Sequence, residues 1–509
     1  MNRQIRRLGV AMLALFAALF VQLNVVQVLR ADQYEAKPDN TRAVLRDYLR
    51  PRGQIVSADG TVLARSVEVE GEQELLREYP EKELFGHITG YFSLRYNKDG
   101  VERTYNDELA GRGGVEDVEN AVDLLLEDDH TRDVHLTIDR SVQQAARDAL
   151  GTKPGAVVAL DPRTGAVIAM WSYPSYDPSA ISQLDDAASE RGWGLLNADP
   201  NRPLLPRAYR ESYFPGSTFK VVTASAGLAS GMVTPEQPDY PNEREYTAPQ
   251  TNRPIRNFGG GTCGGTLVEI LRVSCNTAFS QMGVEIGAEW LVPTARDFGF
   301  GERAPLDLPA VAASAIDDEA FFEQNIPLLA QTAIGQQVRA TPLEMALVAA
   351  GIANGGSIME PHVLRDVRDR EGDITRSFRP TEWRRAVSPE IAAVVRDAMV
   401  EVVRNGTAKA LQVANGVTTG GKTGTAQLGN GTSHAWIIGF APAEAPRVAI
   451  AVIVEAQPGV SEITGGRVAA PIARAVMEKV LQTRNQPAPE AGASDAGDAA
   501  ETTDEAPNP

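Results

Sequence analysis

Ser217 and Lys220 stand three positions apart in the stretch Tyr213-Phe214-Pro215-Gly216-Ser217-Thr218-Phe219-Lys220. A serine hydroxyl is a poor nucleophile unless a base lies within hydrogen-bond reach. A lysine amine one helical turn away can be that base if burial or a nearby cation lowers its pKa. The spacing puts both side chains on one face of a helix. Pro215 and Gly216 break the preceding segment, and an apolar, small-residue run follows over residues 218–228 before Gly231. The pattern predicts a buried helix whose first turn carries Ser217. Taken alone, Ser-x-x-Lys reads more simply as a helix start with an incidental lysine.

Two later stretches change that reading. Ser274-Cys275-Asn276 lies in VSCNTAF, and Lys422-Thr423-Gly424-Thr425 lies in TTGGKTGTAQ. Each element is common by chance, but the three in this order resemble the signature of penicillin-binding proteins and serine β-lactamases. The resemblance implies acyl transfer through a covalent intermediate on Ser217. Lys220 would take the hydroxyl proton as a neutral amine, with Lys422 disfavouring a second charge on it. Ser274 would pass the proton toward a leaving D-alanine, and Asn276 would fix Lys220 and the substrate amide. Lys422, Thr423, Gly424 and Thr425 would bind the terminal carboxylate. The backbone N–H groups of Ser217 and Thr425 would form the oxyanion hole. Trp436 follows the Lys-Thr-Gly strand closely and lines either the cleft or the core. The implied substrates are peptidoglycan stem peptides ending in D-Ala-D-Ala, with β-lactam antibiotics trapping Ser217 because their amide mimics that bond. No cofactor is implied.

Composition is consistent with this and excludes other classes. The chain has 509 residues, enough for roughly two or three domains. Its formal net charge of -18 argues against nucleic acid as a partner. The five histidines, at 87, 130, 135, 362 and 434, are scattered, and there is no CxxC, so no metal site is expected. Cys263 and Cys275 are the two cysteines. Outside the membrane a single disulfide between them is permitted, but sequence does not supply the Cα separation that a disulfide needs.

The elements that must position these residues can be read in order. Arg3, Arg6 and Arg7 precede an apolar run over residues 8–29, broken by Gln22, Asn24 and Gln27. A bilayer takes about 20 such residues. A signal peptide would have a shorter apolar core and a small-x-small site, and none follows Val28. The arginines predict a cytoplasmic stub of residues 1–7, an anchor of residues 8–29 in the bacterial membrane, and an extracytoplasmic bulk.

Residues 30–135 form a first module. Its β-type runs at 55–56 and 62–64 flank Asp59-Gly60 and predict a hairpin. Arg50 and Arg52 read as solvated or salt-bridged surface. Arg52-Gly53-Gln54-Ile55 with this hairpin resembles the start of the pedestal of class B penicillin-binding proteins, and residues 87–91 and 100–111 resemble later parts. Residues 116–133 read as an exposed acidic connection.

The second module covers residues 136–483. A helix is expected at 141–150, then a hairpin of runs 156–160 and 166–170 around Asp161-Pro162-Arg163-Thr164-Gly165. Both runs are apolar on both faces, which predicts a sheet covered on both sides. Residues 235–262 read as a polar loop near the cleft. Helices are expected at 266–272, after Thr341-Pro342, at 388–404 and at 470–483. Strands are expected at 418–427, 434–440 and 447–455, with a turn at 429–431. Strands at both ends with helices between predict an α+β fold, an antiparallel sheet packed on a helical cluster. That agrees with the penicilloyl-serine transferase fold. Residues 484–509 are an acidic tail without an apolar pattern and are expected to be disordered.

No glycosyltransferase-like module precedes the pedestal, so the resemblance is to class B, most of all to its PbpA-type subgroup in actinobacteria. It implies a monofunctional D,D-transpeptidase of cell-wall synthesis in division or elongation. It further implies a SEDS-type glycosyltransferase and other divisome or elongasome proteins as partners. A β-lactamase, a D,D-carboxypeptidase and a non-catalytic scaffold are the rivals. The anchor and pedestal weigh against the first, and the intact motifs against the last.

Overall fold

The computed structural model describes residues 3–26, 30, 48, 50–70, 75–111, 131–428, 431–456 and 463–484. Its centre is a five-stranded antiparallel sheet in the order Gly420–Gln427, Ser433–Ala441, Val448–Val454, Gly155–Leu160, Val167–Tyr173. The hairpin read near the start of the second module therefore pairs with the last strand among the described residues. Val448–Val454 and Gly155–Leu160 are buried along their whole length. Strands of unbroken apolar character need cover on both faces. Helix Pro342–Ala353, buried at every position, lies on one face. Arg140–Leu150 and Ala470–Thr483 pack together on the other.

The helix starts follow local chemistry. Asp139 accepts from the N–H of Val142, Thr341 from that of Glu344 and Ser388 from that of Ile391, each capping the helix that follows. Pro342 and Pro389 occupy first-turn positions, where a missing N–H costs nothing.

A second sheet has six strands in the order Ile374–Ser377, Leu364–Arg368, Asp133–Leu136, Ile55–Val56, Val62–Glu68, Leu75–Glu78. Asp133–Leu136 runs parallel to Ile55–Val56 and antiparallel to Leu364–Arg368. This strand spans the limit expected between residues 135 and 136. Strands from both sides of that limit thus share one sheet, and one hydrophobic core runs through both parts.

Arg52 corrects the surface reading. It is buried and donates to Glu102 Oε2 at 2.6 Å, while Arg77 donates to Glu102 Oε1 at 2.7 Å. Burial alone would raise the Glu102 carboxyl. The guanidinium groups of Arg77 and Arg52 override it and hold the carboxyl below its usual value.

The N-terminal helix is Arg3–Asn24, with no buried side chain. It starts within the arginine-bearing stub rather than after it. Its 22 residues make it the one helix among the described residues long and apolar enough to cross a membrane. Residues 27–29, 116–130, 429–430 and 485–509, on which parts of the anchor, the acidic connection, the turn and the tail were expected, lie outside the described residues.

Candidate active site

Ser217 sits in a tight 3-10 turn, Gly216–Phe219, that runs directly into the helix Lys220–Ala229. The turn is where three backbones meet. Gly216 has φ 53° and donates to Gly335 O at 3.0 Å. A Cβ on Gly216 would fall 2.8 Å from Thr425 O, so only glycine lets the nucleophile turn approach the Lys-Thr-Gly strand. Ser217 and Thr425 consequently line the same cleft, about 1160 Å³ in volume, together with Ser274, Asn276, Thr423 and Gly424.

Lys220 is fully buried. Its Nζ donates to Ser274 O at 2.8 Å and to Asn276 Oδ1 at 2.7 Å, and stands 3.4 Å from Ser274 Oγ. Asn276 is oriented by its other amide atom, Nδ2, which donates to Arg256 O at 2.9 Å. Carbonyl oxygens only accept, so two of the lysine hydrogens are committed to them. A neutral amine has no third hydrogen, and its lone pair is left for a hydroxyl proton.

Burial, then the charge of Lys422, holds the Lys220 amine well below the ordinary lysine value. Lys422 is also fully buried and is pushed down to about 7 by that burial. It donates to Ser274 Oγ at 2.8 Å and to Thr423 O at 3.0 Å. The Ser274 hydroxyl therefore lies between the two amines.

Ser274 holds this place through an unusual backbone. Its φ is 61°, a left-handed conformation that few non-glycine residues adopt. It links the helices Leu267–Arg272 and Asn276–Ile286, and the first of these starts with a Thr266–Glu269 capping box.

Asn257 and Thr407, which sequence reasoning did not single out, complete the site together with the permitted Cys263–Cys275 disulfide. Asn257 Oδ1 accepts from the N–H groups of Asn276 at 3.0 Å and Thr277 at 3.1 Å, and its Nδ2 donates to Glu243 O at 2.8 Å. It thus satisfies the start of the Asn276 helix from a distant loop. Cys263 and Cys275 are joined in a disulfide with a Cα separation of 5.8 Å, a second tie between that loop and the Ser-x-Asn turn. The Thr407 and Thr423 hydroxyls are hydrogen-bonded at 2.7 Å. The 235–262 segment carried a composition signal for a loop, but nothing in it marked Asn257 over its neighbours.

Trp436 corrects the alternative that placed it at the cleft. It is 0% exposed, and its Nε1 donates to Phe214 O at 3.1 Å. It supports the nucleophile turn from beneath the strand instead of touching the cavity.

Comparison with known proteins matches two stretches of the chain. A family model described as the penicillin binding protein transpeptidase domain matches residues 155–478. A second, described as the penicillin binding protein A dimerisation domain, matches residues 52–133. The chain is 38% identical over 504 residues to a peptidoglycan D,D-transpeptidase PbpA of Mycobacterium tuberculosis, covering 95% of this chain and 99% of the relative. It is 38% identical over 506 residues to PbpA of Mycolicibacterium smegmatis, with 95% and 99% covered. A solved structure of penicillin-binding protein A from Mycobacterium tuberculosis, an imipenem acyl-enzyme complex, matches at 37% identity with a TM-score of 0.78. The match covers 86% of this chain and 100% of that one.

Proposed function

From a chain that belongs to the class B penicillin-binding proteins, of the PbpA type, we infer a serine D,D-transpeptidase that cross-links peptidoglycan stem peptides and is acylated by β-lactams. The observation that carries the assignment of roles is the committed pair of hydrogens on Lys220.

In the first half-reaction Ser217 Oγ attacks the carbonyl between two D-alanines, and its proton passes to the Lys220 lone pair. Negative charge develops on the carbonyl oxygen between the Ser217 and Thr425 N–H groups, each worth roughly 3–4 kcal/mol in such a hole. The C–N bond breaks, and the departing amine takes a proton relayed through Ser274 Oγ. Lys422 and the hydroxyls of Thr423 and Thr425 hold the terminal carboxylate, and Asn276 holds the substrate amide and Lys220. An amine of a neighbouring strand then attacks the Ser217 ester and regenerates the hydroxyl.

The Arg3–Asn24 helix and the arginines in its first turns support a single anchor with a cytoplasmic N-terminus. The Cys263–Cys275 bridge supports an oxidising, extracytoplasmic setting for the catalytic part. Residues 30–135 are read as the pedestal and residues 136–483 as the transpeptidase part. SEDS-type glycosyltransferases and other divisome or elongasome proteins are the proposed partners.

Intact mass of the full chain in detergent, followed over hours with penicillin, tests the assignment. A long-lived adduct absent from Ser217→Ala is expected. An adduct that clears within seconds would indicate a β-lactamase-like hydrolase. No adduct on folded protein would indicate a scaffold.

A further inference from the structure

The short helix Arg207–Arg210 lies just ahead of the nucleophile turn, and each of its residues is tied to something outside it. Arg207 Nε donates to Glu455 Oε1 at 2.8 Å, at the end of the catalytic sheet. The N–H of Ala208 donates to Ser172 Oγ at 2.9 Å. Tyr209 is buried, and its hydroxyl donates to His87 O at 3.1 Å. Arg210 donates through both terminal nitrogens to Asp99, at 2.8 and 2.7 Å, and through Nε to Pro309 O at 3.1 Å. His87 and Asp99 belong to the first module, so the helix is gripped from both parts of the chain.

The grip on Arg210 is firm. A two-pronged guanidinium–carboxylate pair fixes orientation as well as distance. Its side chains are only 17% and 23% exposed, which sets it apart from surface pairs of little worth. Asp99 itself stands on a pinned backbone. A Cβ on Gly90 would fall 2.0 Å from Asp99 O, and one on Gly100 would fall 2.6 Å from Gly90 N, so two glycines let these chains touch.

From Arg210 the path to Ser217 has little slack. Tyr213 exchanges main-chain hydrogen bonds with Ala340 at 2.9 and 2.8 Å. Its hydroxyl donates at 2.6 Å to Glu455 Oε1, the oxygen that also holds Arg207. The next carbonyl, that of Phe214, holds Trp436 Nε1, and Gly216 is bonded to Gly335 O. Resting on Ser217 as the nucleophile, we propose that Asp99 and Glu455 are positioning residues for acylation. They fix the two sides of the Arg207–Arg210 helix and, with Tyr213, the place at which Ser217 Oγ meets the carbonyl it attacks. Neither residue lines the cleft, so both act through the backbone that carries the nucleophile.

The test is stopped-flow acylation of the full chain in detergent by a fluorescent penicillin. The dissociation constant of the first complex is separated from the rate constant of the covalent step. A misplacement of about 1 Å can cost on the order of 100-fold, so Asp99→Asn and Glu455→Ala should each slow the covalent step by roughly tenfold. The dissociation constant should be unchanged, because the cleft wall is intact. Arg210→Gln should match Asp99→Asn, and the double variant should be no slower than either alone, as for two groups that share one interaction. Arg210→Lys keeps the charge without the fork and should fall between, which also provides the answer if Asp99→Asn does not fold. Ile55→Ala, in the sheet of the same module, should lower Tm and leave the covalent step as in wild type. An unchanged covalent step in the Asp99, Arg210 and Glu455 variants would overturn the proposal. So would additive losses in the double variant, weaker binding in place of a slower step, or an equal loss in Ile55→Ala. Wild type that forms no adduct would bring down the nucleophile assignment, and the positioning roles with it.

Discussion

Nζ of Lys422 donates to Oγ of Ser274 at 2.8 Å. That hydroxyl also stands 3.4 Å from the Lys220 amine, the position the proposed relay to the leaving group requires. Ser274→Ala removes the relay but keeps the main-chain carbonyl that fixes Lys220. Proton transfer by a positioned group contributes roughly 10²–10⁴-fold, so acylation by a fluorescent penicillin should slow by at least about 100-fold. Thermal stability should change little, and stopped-flow acylation beside a melting curve separates the two effects.

Two buried lysines make the fold sensitive to pH in a defined direction. Burial depresses Lys422 from 10.5 to about 7 in the folded chain. The unfolded chain therefore binds the extra proton between those values. Its contribution is most favourable above about 10.5 and is lost as pH falls through about 7. Replacing it with an apolar residue relieves a penalty on the order of 4 kcal/mol below pH 7. Lys422→Met should raise Tm at pH 6 by a few degrees and much less at pH 10, while abolishing acylation. A gain of equal size at both pH values would show that packing, not ionisation, is responsible.

Glu344 carries the opposite dependence. It is fully buried in the helix Pro342–Ala353, its Oε1 has no hydrogen-bond partner among the described residues, and burial pushes its carboxyl up to about 8. The folded chain then holds a proton that the unfolded chain releases above its ordinary value of 4.5. The stabilising effect is whole below about 4.5 and is lost as pH rises through about 8. Glu344→Gln should match wild type near pH 5 and melt higher at pH 9. Equal melting temperatures at pH 9 would refute the assignment of a raised carboxyl.

Asn257 is expected to matter more than its loop position suggests. Asn257→Ala leaves the Asn276 and Thr277 N–H groups without their acceptor. An orphaned buried donor costs about 1–3 kcal/mol, and this one sits at the turn that orients Asn276 toward Lys220. The variant should be acylated at least about tenfold more slowly while keeping its disulfide. Mass spectrometry of peptides and acylation kinetics test both halves.

Much of this arrangement is legible in the chain, and the limits of legibility have physical causes. The three motifs are short and local, and so are the helix caps at Asp139, Thr341 and Ser388, where a side chain bonds to an N–H a few residues away. The burial of Arg52 depends on Arg77 and Glu102, which are distant in sequence, so no local pattern announces it. Trp436 could serve strand or cleft by its sequence position, because the carbonyl that holds its Nε1–H belongs to Phe214, distant in sequence. The left-handed turn at Ser274 is set by what surrounds it, since serine itself does not favour that conformation. Asn257 reaches across 19 positions to Asn276, a pairing that composition cannot signal.

The strand Asp133–Leu136 has a consequence for how the chain acquires its shape. Its partners are Ile55–Val56 on one edge and Leu364–Arg368 on the other. The sheet begun near residue 55 is closed only when residues 364–377 arrive. Contacts of such long sequence separation form late, because their loop-closure entropy must be overcome first. During vectorial synthesis the segment next to the membrane helix must wait for most of the catalytic part to emerge. The catalytic sheet waits longer still, for Val448–Val454 to reach Gly155–Leu160, and truncation anywhere between residues 137 and 364 leaves an open strand edge at Asp133–Leu136.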